Sequence, residues 1–203
     1  MTRTSLLICF VAFLADAHVD AQTQAAAATP AQGPPQAAAV LPKAIPLGVL
    51  LERTWAGFEK QFVDAADAMP DNKFDFKPGG PLFGEVRTFG EQVRHFGAAL
   101  YYNAAQQLGE TPPVEIEGQS GPDSLKGRAE IMKYLRGGFQ YMRRAVSTMT
   151  AENATTVVRT PDRVGTRLLF AMLAAQHCGD HYGQMVVSLR MNGIVPPASR
   201  QPH

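Results

Sequence analysis

A chain of 203 residues with 45% hydrophobic and 18% charged residues is long enough to bury one ordinary core and too short for two comfortable domains. Its formal net charge of +1, with no basic cluster, leaves no electrostatic footprint for nucleic acid or anionic lipid.

The N-terminus carries Arg3, then the apolar run Leu6 to Ala15, then Val19-Asp20-Ala21 before Gln22. A basic start, an apolar stretch of about 7 to 15 residues and a small-residue end are the marks of a secretory signal peptide. Residues 1–21 are therefore expected to be a signal removed near Ala21, and the mature protein to be exported to the periplasm or the extracellular space. Cys9 lies ahead of most of the apolar run instead of after it, which argues against a lipoprotein processing site. No other stretch has about 20 consecutive apolar residues, so no stable membrane insertion is expected after signal cleavage. Cleavage takes away one arginine and two aspartates, leaving 18 basic against 16 acidic residues, and it leaves Cys178 as the one cysteine. Stability must then come from packing, metal or association instead of an intramolecular disulfide. Cys178 reads first as a small buried side chain, with a reactive thiol or an intermolecular bridge as the other readings.

Residues 22–46 are mostly Ala, Gln and Pro, with Pro30, Pro34, Pro35, Pro42 and Pro46 breaking any helix. Such a segment has little to bury and reads as a disordered tether, with the folded domain over residues 47–200. Four helical segments follow. The first runs from Leu47 to Met69, with Leu47, Leu51, Trp55, Phe58 and Phe62 on one stripe and Pro70 beyond its end. A turn-rich loop from Phe74 to Pro81 is expected to pack its aromatics over a bundle end. The second helix begins near Thr88, an N-cap with Glu91 placed for a capping box, and runs to Leu108 before Gly109. Thr111 to Pro122 forms a connection long enough to cross a bundle. The third helix is expected from Ser124 to Met149, with a kink or a close helix contact at Gly137 and Gly138. The fourth is expected from Gly165 to Met191, stopped by Asn192-Gly193 and Pro196-Pro197. No strand pattern competes, so the fold class is all-α, a four-helix bundle.

The stretch Gln176-His177-Cys178-Gly179-Asp180-His181-Tyr182-Gly183 carries the chemistry. On a helix, His177 and His181 share a face with Cβ atoms about 5 to 6 Å apart, so both rings can turn to one ion. They extend a stripe of Leu169, Leu173, Met185 and Leu189 that should face the interior. His95 is the remaining candidate imidazole, set beside Gln92, Ala99 and Tyr102 at the border of a stripe formed by Phe89, Val93, Phe96 and Leu100. From the residues alone two readings stay open: a metal site, or ordinary histidines satisfied by backbone carbonyls. The metalloprotease motif is excluded because Cys178 stands where its glutamate would be. Asp180 could orient a ligand from outside, or simply face solvent. No nucleophile elbow, phosphate loop or dinucleotide fingerprint is present. Met132, Met142, Met149, Met172, Met185 and Met191 read as core filling.

The segments FDFKPGGPLFGEVRTFGEQVRHFGAALYYNAA and HCGDHYGQMVVSLRMNGIVPPASR resemble the DinB-like superfamily of metal-dependent proteins, and the resemblance extends from Leu47 to Arg200. It implies a bundle of up-down-down-up topology whose metal is held by one histidine of the second helix and two of the fourth, which fall here on His95, His177 and His181. It further implies a divalent transition metal, zinc or nickel first, with an open position for water or a thiolate. The implied activity is that of a hydrolase or a thiol-dependent transferase on a small-molecule substrate, with catalytic residues beyond the ligands unassigned. The alternatives are a noncatalytic metal-binding or stress-related module, and a purely structural bundle in which His95 points away from the other two. An export signal sits poorly with a cytoplasmic thiol cosubstrate. A homodimer is expected, with the small residues around Gly137 and Gly138 permitting close approach.

Overall fold

The computed structural model describes residues 44–161 and 163–200. The expected signal peptide, all but the last three residues of the expected tether, and His203 lie outside the described residues. Four helices carry the fold: α1 (Leu47–Ala68), α2 (Phe89–Leu108), α3 (Arg128–Ser147) and α4 (Arg167–Met191). No helix among the described residues is long and apolar enough to cross a membrane.

Each helix boundary has a local cause. Pro46 precedes α1 and Pro70 follows it, so neither end can be extended. At α2 the capping box forms as its sequence predicts: Thr88 Oγ1 accepts from the Glu91 amide at 3.2 Å, and the Glu91 carboxylate accepts from the Thr88 amide at 2.7 Å. The helix ends in Gly109, left-handed at φ 68°. α3 starts at Arg128 instead of Ser124, because Asp123 and Ser124 form a turn closed by the Leu125 amide on the Pro122 carbonyl, and Gly127 bends the chain before the helix. Glu130 then reaches back to the amides of Lys126 and Gly127.

The expectation of no strands is corrected. An antiparallel hairpin of β1 (Val157–Arg159) and β2 (Val164–Thr166) leads into α4. Its β-branched residues and the Thr160-Pro161 turn are a hairpin signal, too short to stand out against four helical periodicities. α4 accordingly begins at Arg167, not Gly165, with Thr166 Oγ1 accepting from the Leu169 amide at 3.2 Å.

Around the bundle the helices follow the order α1, α3, α2, α4. Glu52 and Glu59 pair with Arg143, and Asp67 with Arg128 and Arg136, so α1 and α3 are antiparallel. Gly97 meets Tyr134, Gly137 meets Tyr101, and Gln107 donates to Met142, so α2 and α3 are parallel. Gln92 donates to the His181 carbonyl while Tyr102 and Asn103 share a cavity wall with Leu173, so α2 and α4 are antiparallel. This is the up-down-down-up topology. Two adjacent parallel helices force the chain between them to run back along the bundle, which is why the segment after α2 is long.

At the centre, Phe62 of α1 stacks on Phe96 of α2 at 4.5 Å between ring centroids, and Phe139 of α3 closes on both at 5.8 and 5.7 Å. Burying each such ring stabilises the fold by about 1.5 to 3 kcal/mol, and ring pairing adds about 0.5 to 1.5 kcal/mol. Gly137 and Gly138 are used inside the chain: both press against α2, at Tyr101 and Leu100, and α3 passes through them unbroken. Their lack of a Cβ is used in the close contact with α2.

The interior face of α4 runs through Ala171, Ala174, Cys178, His181, Met185 and Leu189. Leu169, expected inside, is 43% exposed because this face passes through Phe170 and Ala171 at that turn. Of the expected core methionines, Met132, Met142, Met149 and Met185 are buried, whereas Met172 and Met191 lie exposed on the outer side of α4.

Candidate metal centre

His95 sits in the middle of α2, 8% exposed, at the border of the apolar stripe and facing α4. Its Nδ1 makes a short hydrogen bond to the backbone carbonyl of Gln119, in the segment that runs back from α2 to α3. A carbonyl can only accept, so Nδ1 carries the proton and the neutral ring presents an unprotonated Nε2 on its other side. Glu117 at φ 38° and Gly118 at φ 65° turn the chain immediately before Gln119. The Glu117 carboxylate accepts from the Asp123 amide at 2.6 Å and holds that turn. Arg94 anchors the same segment, donating to the Ser120 and Pro122 carbonyls at 3.1 and 3.3 Å and pairing with Asp123 at 2.9 Å.

The unprotonated Nε2 of His95 lies 3.1 Å from Nε2 of His177, which in turn lies 2.7 Å from Nε2 of His181. Phe96 backs both α4 rings, with centroids 5.5 and 6.1 Å away, so the aromatic core is also the floor of the site. Gln92 ties the His181 backbone to α2 with a 2.9 Å hydrogen bond to its carbonyl. Thus all three histidines named from the sequence converge, and the reading in which His95 points away is corrected.

Proton counting shows what such convergence demands. His95 Nε2 can only accept, so a proton on His177 Nε2 can serve that contact or the His181 contact, but not both at full strength. Three neutral rings therefore leave at least one of the two contacts without a hydrogen bond of full strength. A cation among them turns three lone pairs into bonds, and separations near 3 Å are of the order expected between nitrogen ligands of one ion at about 2.0 to 2.1 Å. The residues fit a metal. Among the described residues, His95, His177 and His181 are the group of three or more potential ligands that could hold an ion, with all ligand atoms within 4.8 Å of one another. His181 Nδ1 is buried without a hydrogen-bond partner among the described residues, so Nε2 is its engaged nitrogen.

All three rings are held in the neutral form that a ligand needs. Burial lowers the pKa of His95, partly offset by its bond to Gln119, with the Arg87 charge lowering it further. Burial and the His95 ring lower His177, and burial together with both other rings brings His181 down to about 4.

The cluster opens on a cavity of about 810 Å³, whose wall includes Arg87, Ala98, Ala99, Tyr102, Gln119 and Arg163. Cys178 is not part of the site: it is 3% exposed on the core side of α4, and burial pushes its thiol up to about 12. Asp180 is exposed, and its carboxylate accepts from Gln184 at 3.3 Å. Sequence reasoning missed Gln119, which acts through a backbone carbonyl and so leaves no side-chain signal. It also missed Arg87, which lies outside the helix that carries His95.

A family model described as the DinB superfamily matches residues 50–185. Among solved structures, a DinB-like protein from Bacillus cereus ATCC 10987 is similar at 19% identity and a TM-score of 0.57, over 72% of this chain and 93% of that one. A conserved protein from Enterococcus faecalis is similar at 14% identity and a TM-score of 0.58, over 73% of this chain and 98% of that one. A DinB-like protein from Bacillus subtilis is similar at 14% identity and a TM-score of 0.57, over 76% of this chain and 96% of that one. No curated protein matches the sequence. At these identities the structures speak for the fold, and the family model covers more than half of the sequence: the chain belongs to the DinB superfamily.

Proposed function

We propose that this protein is an exported metal-dependent enzyme, a hydrolase or a thiol-dependent transferase, with His95, His177 and His181 as the ligands of a divalent transition metal, zinc or nickel. The observation that carries the reading is the convergence of three Nε2 atoms at the wall of an open cavity. Three protein ligands leave room for a fourth, which is the arrangement of catalytic sites more than of closed structural ones. When bound, the ion would supply Lewis acidity that lowers the pKa of a water or thiol nucleophile beside it.

The chain supplies the rest. The Gln119 carbonyl fixes the His95 tautomer, the Phe96 ring keeps bulk water from the back of the cluster, and Gln92 holds α4 in register with α2. Export is supported by the composition of residues 1–21, and it favours water over a cytoplasmic thiol as the nucleophile. A second copy is the proposed protein partner. The apolar side chains of Met172, Val187 and Met191 on the outer side of α4 support that pairing.

Metal analysis of the purified protein, with each histidine changed to alanine in turn, tests the site. Near-stoichiometric metal lost in each variant supports the reading. Occupancy unaffected by any of the three substitutions would sink it. The noncatalytic alternative predicts that the ion raises thermal stability while ester, amide and thiol-transfer substrates are all left unturned.

A further inference from the structure

We infer that the molecule handled at this centre is a small organic anion, and that Arg87 is the residue that holds its carboxylate or phosphate group. The inference rests on the metal reading above for the reacting end of the molecule, and on the cavity for the other end.

The volume of about 810 Å³ is far larger than a water-activating site needs and falls within the usual span of small-molecule pockets, about 300 to 1,000 Å³. It follows α2. On one side of the ligand cluster Asn103 lies eight residues along α2 from His95, about 12 Å of helix, and on the other Arg87 stands in the chain just before the Thr88 cap of α2. Ala98, Ala99 and Ile116 give the wall an apolar stretch suited to a short hydrocarbon body.

Arg87 and Arg163 both line the cavity, and among its described lining residues there is no aspartate or glutamate. Arg87 is half-buried, and among the described residues it forms no ion pair. A partly desolvated guanidinium without a counter-charge is unfavourable in the free protein and is relieved by an anionic ligand. Neutral imidazole ligands also leave a bound dication with its whole formal charge, so both ends of the cavity favour negative groups. The planar fork of arginine matches the paired oxygens of carboxylate or phosphate.

Titration calorimetry on the full chain, loaded with zinc and separately stripped by a chelator, tests this with succinate, inorganic phosphate and neutral succinamide as probes. Succinate or phosphate should bind more tightly than succinamide. Arg87→Ala should weaken that binding about tenfold, with partial recovery in Arg87→Lys and unchanged zinc content. Tighter succinate assigns a carboxylate substrate, and tighter phosphate a phosphorylated one. Succinamide binding as well as succinate, or anion affinity indifferent to Arg87→Ala in a variant that still folds and holds zinc, overturns the inference alone. A wild-type chain that takes up no zinc yet binds anions through Arg87 overturns the metal reading alone.

Discussion

The backbone carbonyl of Gln119 accepts the Nδ1 proton of His95 across the boundary between the long connection and α2. That one contact decides which nitrogen of His95 faces His177, because the proton must sit on the side of the carbonyl. The connecting segment is thus part of the candidate metal centre, although it contributes no side chain to the histidine cluster.

The first prediction follows from its backbone nature. Gln119→Ala should leave zinc content unchanged, since the carbonyl remains. Gly118→Val should lower zinc affinity about tenfold to a hundredfold, because a β-branched residue resists φ 65° and displaces that carbonyl. Competition with a chelating dye measures both. Equal affinities for the two variants would show that the carbonyl does not orient the ring.

A second prediction concerns acid. The unfolded chain takes up protons on its histidines near the ordinary value of 6.5, whereas the folded metal-free chain holds His181 down to about 4 and lowers His95 and His177 as well. Between those values the unfolded state binds more protons, so the stability of the metal-free protein should fall as pH drops from about 6.5 toward 4. Thermal unfolding in chelator from pH 7.5 to 4 should show this decline. His181→Gln should flatten it, and a melting temperature equally pH-dependent in that variant would assign the effect elsewhere. Bound zinc should steepen the decline, because each ligand must lose its metal to take a proton.

A third prediction separates Cys178 from the chemistry. A thiol that is 3% exposed and pushed up to about 12 has almost no thiolate at neutral pH. It should react with an aromatic disulfide reagent only on unfolding, and Cys178→Ala should keep the zinc content while losing stability through the small cavity it leaves. Rapid stoichiometric labelling of the native protein would reverse this assignment.

How much of this was legible in the sequence follows from which interactions are local. The capping box at Thr88 and Glu91 and the apolar periodicities are short-range, and they place α1 and α2 within a residue or two. The histidine spacing on α4 is likewise a property of one helix. The hairpin is held by pairing between Val157 and Thr166 across a turn, and its strands are three residues each, too brief to show a period. On α4 the expected stripe holds at Met185 and Leu189, which are buried, and departs from the interior at Leu169, where the core selects Ala171, Ala174 and Cys178, small enough for a close approach to its neighbours. Gln119 and Arg87 enter the site only through tertiary geometry, which neither spacing nor composition records.

The glycines supply the last prediction, with opposite signs at two positions. A Cβ on Gly138 would lie 3.0 Å from the Gly97 carbonyl oxygen and 3.1 Å from Leu100 Cβ, so the parallel helices α2 and α3 would have to separate. Gly138→Ala should destabilise the fold by about 1 to 3 kcal/mol, the usual cost of overpacking. Because α2 carries His95, the displacement should also weaken zinc binding. Gly57 lies on the exposed side of α1, and a Cβ there meets nothing within 4 Å. Gly57→Ala should stabilise the fold by about 0.5 to 1 kcal/mol through helix propensity alone, with zinc affinity unchanged. Denaturant unfolding of both variants measures the pair. If Gly138→Ala were as stable as Gly57→Ala, the close packing of α2 on α3 would not be what fixes the distance between them.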